Sequence, residues 1–213
     1  MIRLIQASEA HLFPELIDQM FQLRARQFND RLGWKVEVKD GHERDGFDDL
    51  NPLYAVSIDN AGKVVGTFRL LQTTGPTMLA DVFSELLPDG LTVRSPIVWE
   101  STRFCVDTEM ASEKAASGLN LVTGELLGTL LEIGVSAGLS HIVTVIDVRM
   151  ERILRRSKCP IERLAPPKRI GDVPSLAILM ECSDETVAQV HETNGIPGPC
   201  IITEDASRLG LAA

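Results

Sequence analysis

The sequence predicts one α/β domain built on a central mixed sheet flanked by helices. Three observations predict it. Apolar, β-branched runs of strand length alternate with segments of helical period along the chain. The 213 residues suit one domain of ordinary size. No repeat, low-complexity tract or clear linker divides them. Residues 1–195 are read as the domain. Residues 196–213, opening with Pro197, Gly198 and Pro199, are read as a loosely ordered tail.

The elements follow in order. MIRLIQ at 1–6 is a short strand. Residues 10–32 place Leu12, Phe13, Leu16, Ile17, Met20, Phe21, Leu23 and Phe28 at helical spacing, and Gly33 ends that helix. Residues 35–51 are polar, rich in Asp and Gly, and aperiodic: a loop or lid. YAVSI (54–58) and VVGTFRLLQ (64–72) flank Asp59-Asn60-Ala61-Gly62 as a hairpin. A short helix is expected over 77–87 and a strand over 97–106. Strict alternation along that strand puts Trp99, Ser101, Arg103 and Cys105 on one face, and Glu100, Thr102 and Phe104 on the other. A long helix is expected over 113–138, a buried strand at HIVTVID (141–147) and a basic helix over 149–157. A strand over 175–183 and a helix over 184–193 complete the set.

Hydrophobic residues make up 44% and charged residues 24%, the balance of a globular protein. No apolar run approaches the roughly 20 residues of a membrane span. The opening MIRLIQASEAHLF lacks the apolar centre of a secretory signal, so the expected location is cytoplasmic. Cys105, Cys159, Cys182 and Cys200 form no CxxC pair, so no metal site is expected and the thiols are read as reduced. The net charge of −9 argues against general nucleic-acid binding. Against that balance, Arg149, Arg152, Arg155, Arg156, Lys158, Arg163, Lys168 and Arg169 are opposed locally only by Glu151 and Glu162. That stretch is either a solvated helix face with a basic loop or a dock for an acidic partner.

Charged residues inside apolar strands are the strongest functional signal. Arg69 lies within VVGTFRLL, and Glu100 and Arg103 lie within IVWESTRFCV. Each needs a partner or a function. A structural ion pair, or the exposed face of a one-sided sheet, also accounts for any one of them. Cys105 beside them is read as a small buried thiol, because no histidine lies nearby to activate it.

Taken together, these residues form a pattern. Arg24 and Phe28 are followed by Trp34, then by Asp45 and Asp48 as D-x-x-D, then by Arg69, Phe83 and the Glu100/Arg103 pair as E-x-x-R. In this the chain resembles the acyl-homoserine-lactone synthases of the LuxI type. The likeness is close over residues 20–105. Beyond them it rests on the order of strands and helices.

The resemblance implies a GNAT-like fold with a mostly antiparallel sheet, and the chemistry of an acyltransferase. The substrates would be S-adenosylmethionine and an acyl chain on acyl carrier protein, with no cofactor beyond them. Asp45 and Asp48 suit the cationic groups of S-adenosylmethionine, and Phe28 and Trp34 its adenine or sulfonium. Arg24 or Arg103 suits its carboxylate. Glu100 is the candidate base, directly or through a water, with Arg69 and Arg103 as its catalytic neighbours. Backbone donors near Ser101 and Phe104 would receive the oxyanion. Thr144 would line the acyl tunnel and bond a 3-oxo group, unless it is a core threonine bonded to its own backbone. Met78, Leu79, Phe83, Leu126 and Met150 are candidate tunnel walls. Arg149, Arg152, Arg155, Arg156 and Lys158 would meet the acidic carrier. VDTEMASEKAASGLN lacks the glycine-rich pyrophosphate loop of coenzyme A enzymes, which favours the carrier. Two other readings remain: a GNAT N-acyltransferase using acyl-CoA on another amine, and a binding module that senses without turnover.

Overall fold

The computed structural model describes residues 1–31 and 36–210. Trp34 and Gly33 lie outside the described residues. Ten strands and six α-helices are described. β1 (Ile2–Gln6), α1 (Pro14–Arg24), β2 (Val38–Lys39) and β3 (His42–Glu43) precede the hairpin of β4 (Leu53–Ile58) and β5 (Val64–Gln72). Then come α2 (Met78–Asp81), β6 (Val98–Val106), α3 (Leu121–Ser136), β7 (His141–Asp147) and α4 (Val148–Arg156). β8 (Ile161–Arg163), β9 (Lys168–Ile170), β10 (Val173–Glu181), α5 (Asp184–Asn194) and α6 (Thr203–Arg208) complete the chain.

One sheet of eight strands runs β1-β4-β5-β6-β7-β10-β8, with β9 also on β10. Every pair in it is antiparallel except β6–β7. That one parallel pair is short. Val98–Ser101 run beside His141–Thr144 and no further. β6 continues against β5 to Val106, while β7 continues against β10 to Asp147. The sheet therefore forks after Ser101 and Thr144, in the GNAT-like manner the resemblance implies.

Helices cover both faces. α3 and α5 bury Phe68, Leu70, Leu126, Leu130, Ile178 and Val190 on one side. α1 buries Ile5, Met20, Leu23, Tyr54 and Val56 on the other. Burying a large aliphatic side chain of this kind contributes about 1.5–3 kcal/mol before the entropy cost of ordering it.

Several segments depart from expectation for local reasons. The single helix expected over 10–32 is three pieces. A 3-10 turn covers Ala7–Leu12, Pro14 then occupies the first turn of α1, and the chain widens to a π-helix over Ala25–Arg31. Proline has no N–H to continue a helix that reaches it from upstream. The long helix expected from residue 113 begins only at Leu121, because Asn120 caps it, its side chain accepting from Thr123 N–H at 3.2 Å. β8 and β9, three residues each, fall in the stretch read as a basic loop. Within the segment expected as a loop, residues 36–51 hold a small hairpin followed by a 3-10 turn at Gly46–Asp49, which Asp45 and Asp48 cap reciprocally. Residues 196–210, part of the tail expected to be loose, are docked. Ile201 bridges Ile2 in parallel, and Asp205 accepts the Leu4 N–H at 2.9 Å.

Candidate active site

The site is organised by an irregularity in β6. Thr67 faces Cys105 and Arg69 faces Thr102, so Arg103 and Phe104 share the place opposite Phe68. Arg103 makes room by adopting φ +55°, a left-handed conformation rare for a side chain of its size. Strict alternation fails at this step, which corrects the expected facing. Trp99, Phe104 and Val106 pack into the α3 cluster, and Cys105 into the α1 cluster. Phe104 stacks on Phe68 with centroids 6.2 Å apart. Arg103 is thereby turned to the side of Glu100. Both touch Met78, Arg103 through the sulfur at 3.3 Å and Glu100 through the backbone N–H at 2.9 Å.

Six charges interlock on this face. Arg24, 1% exposed, grips Asp48 bidentately at 2.8 and 2.9 Å and donates to Glu43 through Nε. Arg69, wholly buried, holds Asp45 with both terminal nitrogens, reaches Asp48 at 2.9 Å and donates to Thr102 Oγ1 at 3.0 Å. Arg103 donates to Glu43 through Nε at 3.0 Å and to Asp45 through Nη2 at 2.7 Å. Tyr54 adds its hydroxyl to Asp48 at 2.9 Å. The Arg103 guanidinium lies over the Phe28 ring, 5.5 Å from its centroid, and that of Arg69 over Phe47 at 5.7 Å. Three cations thus meet three carboxylates, the neutrality that burial demands.

The electrostatics follow. Burial by itself would raise Asp48, but the hydrogen bonds and charge of Arg24, with the charge of Arg69, hold it well below the usual carboxylate range. Burial opposes the charge of Arg24 too, and Asp48 and Glu43 more than reverse that, raising it. Glu43 is the residue that sequence reasoning missed. It is fully buried and joins Arg24 to Arg103. The available signal was arithmetic: three motif arginines had only two aspartates to neutralise them.

Glu100 stands apart from this network. It is fully buried, and its two oxygens accept the N–H groups of Met78 at 2.9 Å and Leu79 at 2.6 Å, at the start of α2. Burial pushes its carboxyl up to about 6, against the lowering effect of the Leu79 and Met78 N–H groups. Burial also pushes the Cys105 thiol up to about 12, which fits an inert thiol and not a nucleophile.

Other candidates lie around the fork. Ser101 pairs with Thr144 at its apex, both buried, and the Thr144 hydroxyl has no hydrogen-bond partner among the described residues. Phe83 and Leu79 pack with Val143 beside the fork. Leu126 is wholly buried in the core, and Met150 is packed against it. Arg149, Arg152, Arg155, Arg156 and Lys158 are exposed on and just after α4. They are not equivalent. Arg155 and Arg163 both bind the buried Glu151, and Arg156 donates to the Ser117 carbonyl at 2.8 Å. Arg149, Arg152 and Lys158 have no ion-pair partner among the described residues.

The family model described as autoinducer synthase matches residues 9–190. An acyl-homoserine-lactone synthase of Agrobacterium fabrum is 41% identical over 165 residues, 78% of each chain. The crystal structure of the synthase LasI superposes with a TM-score of 0.79 at 31% identity, over 90% of this chain and 94% of that one. The structure of MesI, a CoA-dependent acyl-homoserine lactone synthase, superposes with a TM-score of 0.83 at 26% identity, over 95% of this chain and all of that one. Among the described residues no helix is long and apolar enough to cross a membrane.

Proposed function

The chain belongs to the autoinducer synthase family, and from that premise we propose that it acylates the amine of S-adenosylmethionine and closes the product to an N-acyl-homoserine lactone, releasing methylthioadenosine. One observation supports the site assignment above others: a buried carboxylate, Glu100, shares a face with a six-charge network beside the fork of the sheet.

The chemistry can be followed through these residues. The amine must lose a proton before it attacks a thioester. Glu100, at about 6, is largely ionised at neutral pH and can take that proton directly or through a water. The amine nitrogen then bonds to the acyl carbon. The resulting oxyanion meets backbone donors where β6 has left β7, near Phe104, and collapses to the amide, expelling the sulfur, which leaves as the thiol with the second amine proton. In the second step the carboxylate oxygen attacks the carbon bearing the sulfonium. The C–S bond breaks, its electron pair stays on sulfur, and methylthioadenosine leaves. The attack is intramolecular and needs little beyond orientation. No cofactor enters this balance, in which S-adenosylmethionine is a substrate.

The network suggests which residues hold that substrate. Arg24 is enclosed by Glu43 and Asp48, whereas the Arg103 side chain is 10% exposed and the Asp45 side chain 19%. Arg103 is therefore the better candidate for the substrate carboxylate, and Asp45 for its cationic groups. Asp48 and Arg69 hold those two in place. Phe28 and Trp34 are assigned to the adenine or sulfonium.

For the acyl donor we favour acyl carrier protein. Two of the first three amides of α3, where a coenzyme A pyrophosphate would lie, are taken: Leu121 N–H by the Glu113 carbonyl and Thr123 N–H by Asn120. The exposed cations of α4 suit an acidic carrier. The likeness to CoA-dependent MesI supports acyl-CoA as the second reading. Purified protein given S-adenosylmethionine and either donor tests both, with lactones identified by mass spectrometry. Methylthioadenosine formed only with the carrier supports the first reading, and only with CoA the second. None with either donor overturns the proposal. Turnover of acetyl-CoA on simple amines, or binding without turnover, would favour the acetyltransferase and sensor readings.

A further inference from the structure

Read along the chain, the cysteines offer no metal motif. The fold nevertheless gathers three metal-binding side chains far from the active site: Glu132 on α3, His191 on α5 and Cys200 on the segment that follows. One ligand atom from each lies within 4.8 Å of the others. We propose that Glu132, His191 and Cys200 bind one divalent transition-metal ion, zinc by donor type, and that the ion staples the chain after Gly195 to α3 and α5.

Four observations support this. First, His191 Nε2 is buried and makes no hydrogen bond. It lies 2.8 Å from a Glu132 oxygen, a contact that becomes an ion pair only when the imidazole is protonated. A buried imidazole nitrogen in that state is costly unless something else takes it. Second, Glu132 is oriented from behind. Its oxygens accept the N–H of Cys200 at 2.9 and 3.1 Å and that of Ile201 at 3.1 Å. Support of this kind is what metal-binding carboxylates commonly have. Third, α3 presents Gly128 to the trio. A Cβ there would come within 2.8 Å of His191 Nε2 and 3.4 Å of Cys200 Sγ, so glycine is what lets the two ligand atoms face this helix. Fourth, the donor set is one carboxylate, one imidazole and one thiolate. That mixture suits zinc, with bonds of about 2.0–2.3 Å and a water as fourth ligand. The side chains of His191 and Glu132 are only 13% and 10% exposed, so the ion would be largely enclosed.

The test is a cobalt(II) titration of the full chain, followed by competition with zinc. The expected result is a thiolate-to-cobalt charge-transfer band that saturates at one ion per chain and is bleached by zinc. Cys200→Ser should remove the band, and His191→Ala should weaken binding at least tenfold, by about 1.4 kcal/mol. Cys182→Ser should keep the band, because that sulfur lies against Gly134 on another stretch of α3. Zinc should also slow proteolysis after Gly195. A wild-type chain without the band, or a Cys200→Ser band as intense as wild type, overturns the proposal and leaves Glu132 as a plain backbone latch.

Discussion

Arg103 and Glu43 stand 60 positions apart in sequence and meet at one oxygen, Glu43 Oε1, with Nε at 3.0 Å and Nη2 at 2.9 Å. The other oxygen of that carboxylate takes Arg24. Glu43 is thus the tie between the first helix and the bulged strand. Glu43→Ala should leave two buried guanidinium groups undercompensated and cost about 3–5 kcal/mol. Urea unfolding measures it, and a loss below about 1 kcal/mol would show that the tie is dispensable.

The Glu100 carboxyl is pushed up to about 6 from an ordinary 4.5. The sign for stability follows from the folded state binding the proton more tightly. This group's contribution is most favourable below 4.5 and is lost as pH rises through about 6. Catalysis runs the other way, since the base must be ionised. The kcat of wild type should rise through about pH 6, and the residual turnover of Glu100→Gln should lack that limb. A Glu100→Gln profile matching wild type would remove Glu100 as the base.

Arg103 holds two carboxylates from a left-handed backbone position. Arg103→Lys keeps the charge and loses the planar fork. We expect a fall in kcat/KM of about 10- to 100-fold, by misplacement of the substrate. Steady-state kinetics with melting curves would show whether the loss is catalytic or one of folding.

The basic surface of α4 is not uniform. Arg155 and Arg156 are partly engaged by the protein itself, by Glu151 and the Ser117 carbonyl. Arg152→Glu with Lys158→Glu is the cleaner reversal. It should raise KM for acyl carrier about tenfold at low salt and leave KM for S-adenosylmethionine unchanged. Equal KM values in variant and wild type would return this surface to solvent.

Thr144 sits at the apex of the fork, and its hydroxyl has no partner among the described residues. Thr144→Val keeps its shape and removes the hydroxyl. If the hydroxyl meets a 3-oxo group, the variant should lose about 1–3 kcal/mol of discrimination in favour of 3-oxo acyl donors. Competition between 3-oxo and unsubstituted donors reads this as a product ratio, and an unchanged ratio would place Thr144 outside the acyl site.

Much of this arrangement was legible in the residues. The β4–β5 hairpin, β7, α4, β10 and α5 announce themselves by period and turn chemistry, and the structure places them within one or two residues of expectation. Arg24, Asp45, Asp48, Arg69 and Arg103 belong to one network, and Glu100 lies on its face. What was hidden has physical causes. A period of two carries no mark for an arginine in the left-handed region, so the facing of Arg103 and Phe104 came out reversed. Glu43 hid in a polar stretch because its burial is set by partners distant in sequence. β8 and β9 are too short and too charged to show a pattern. The engagement of Arg155 depends on Glu151 being buried, which is a tertiary fact.

The way the chain closes over β1 has a further consequence. Ile201 lies along that strand, and Arg208 donates to the Leu4 carbonyl. At the opposite margin the sheet ends in two three-residue pieces rich in charge. Neither border offers a long bare row of amides and carbonyls to a passing strand, the usual seed of aggregation. A chain cut before Ile201 would lose that protection along β1 and should become prone to aggregate on concentration.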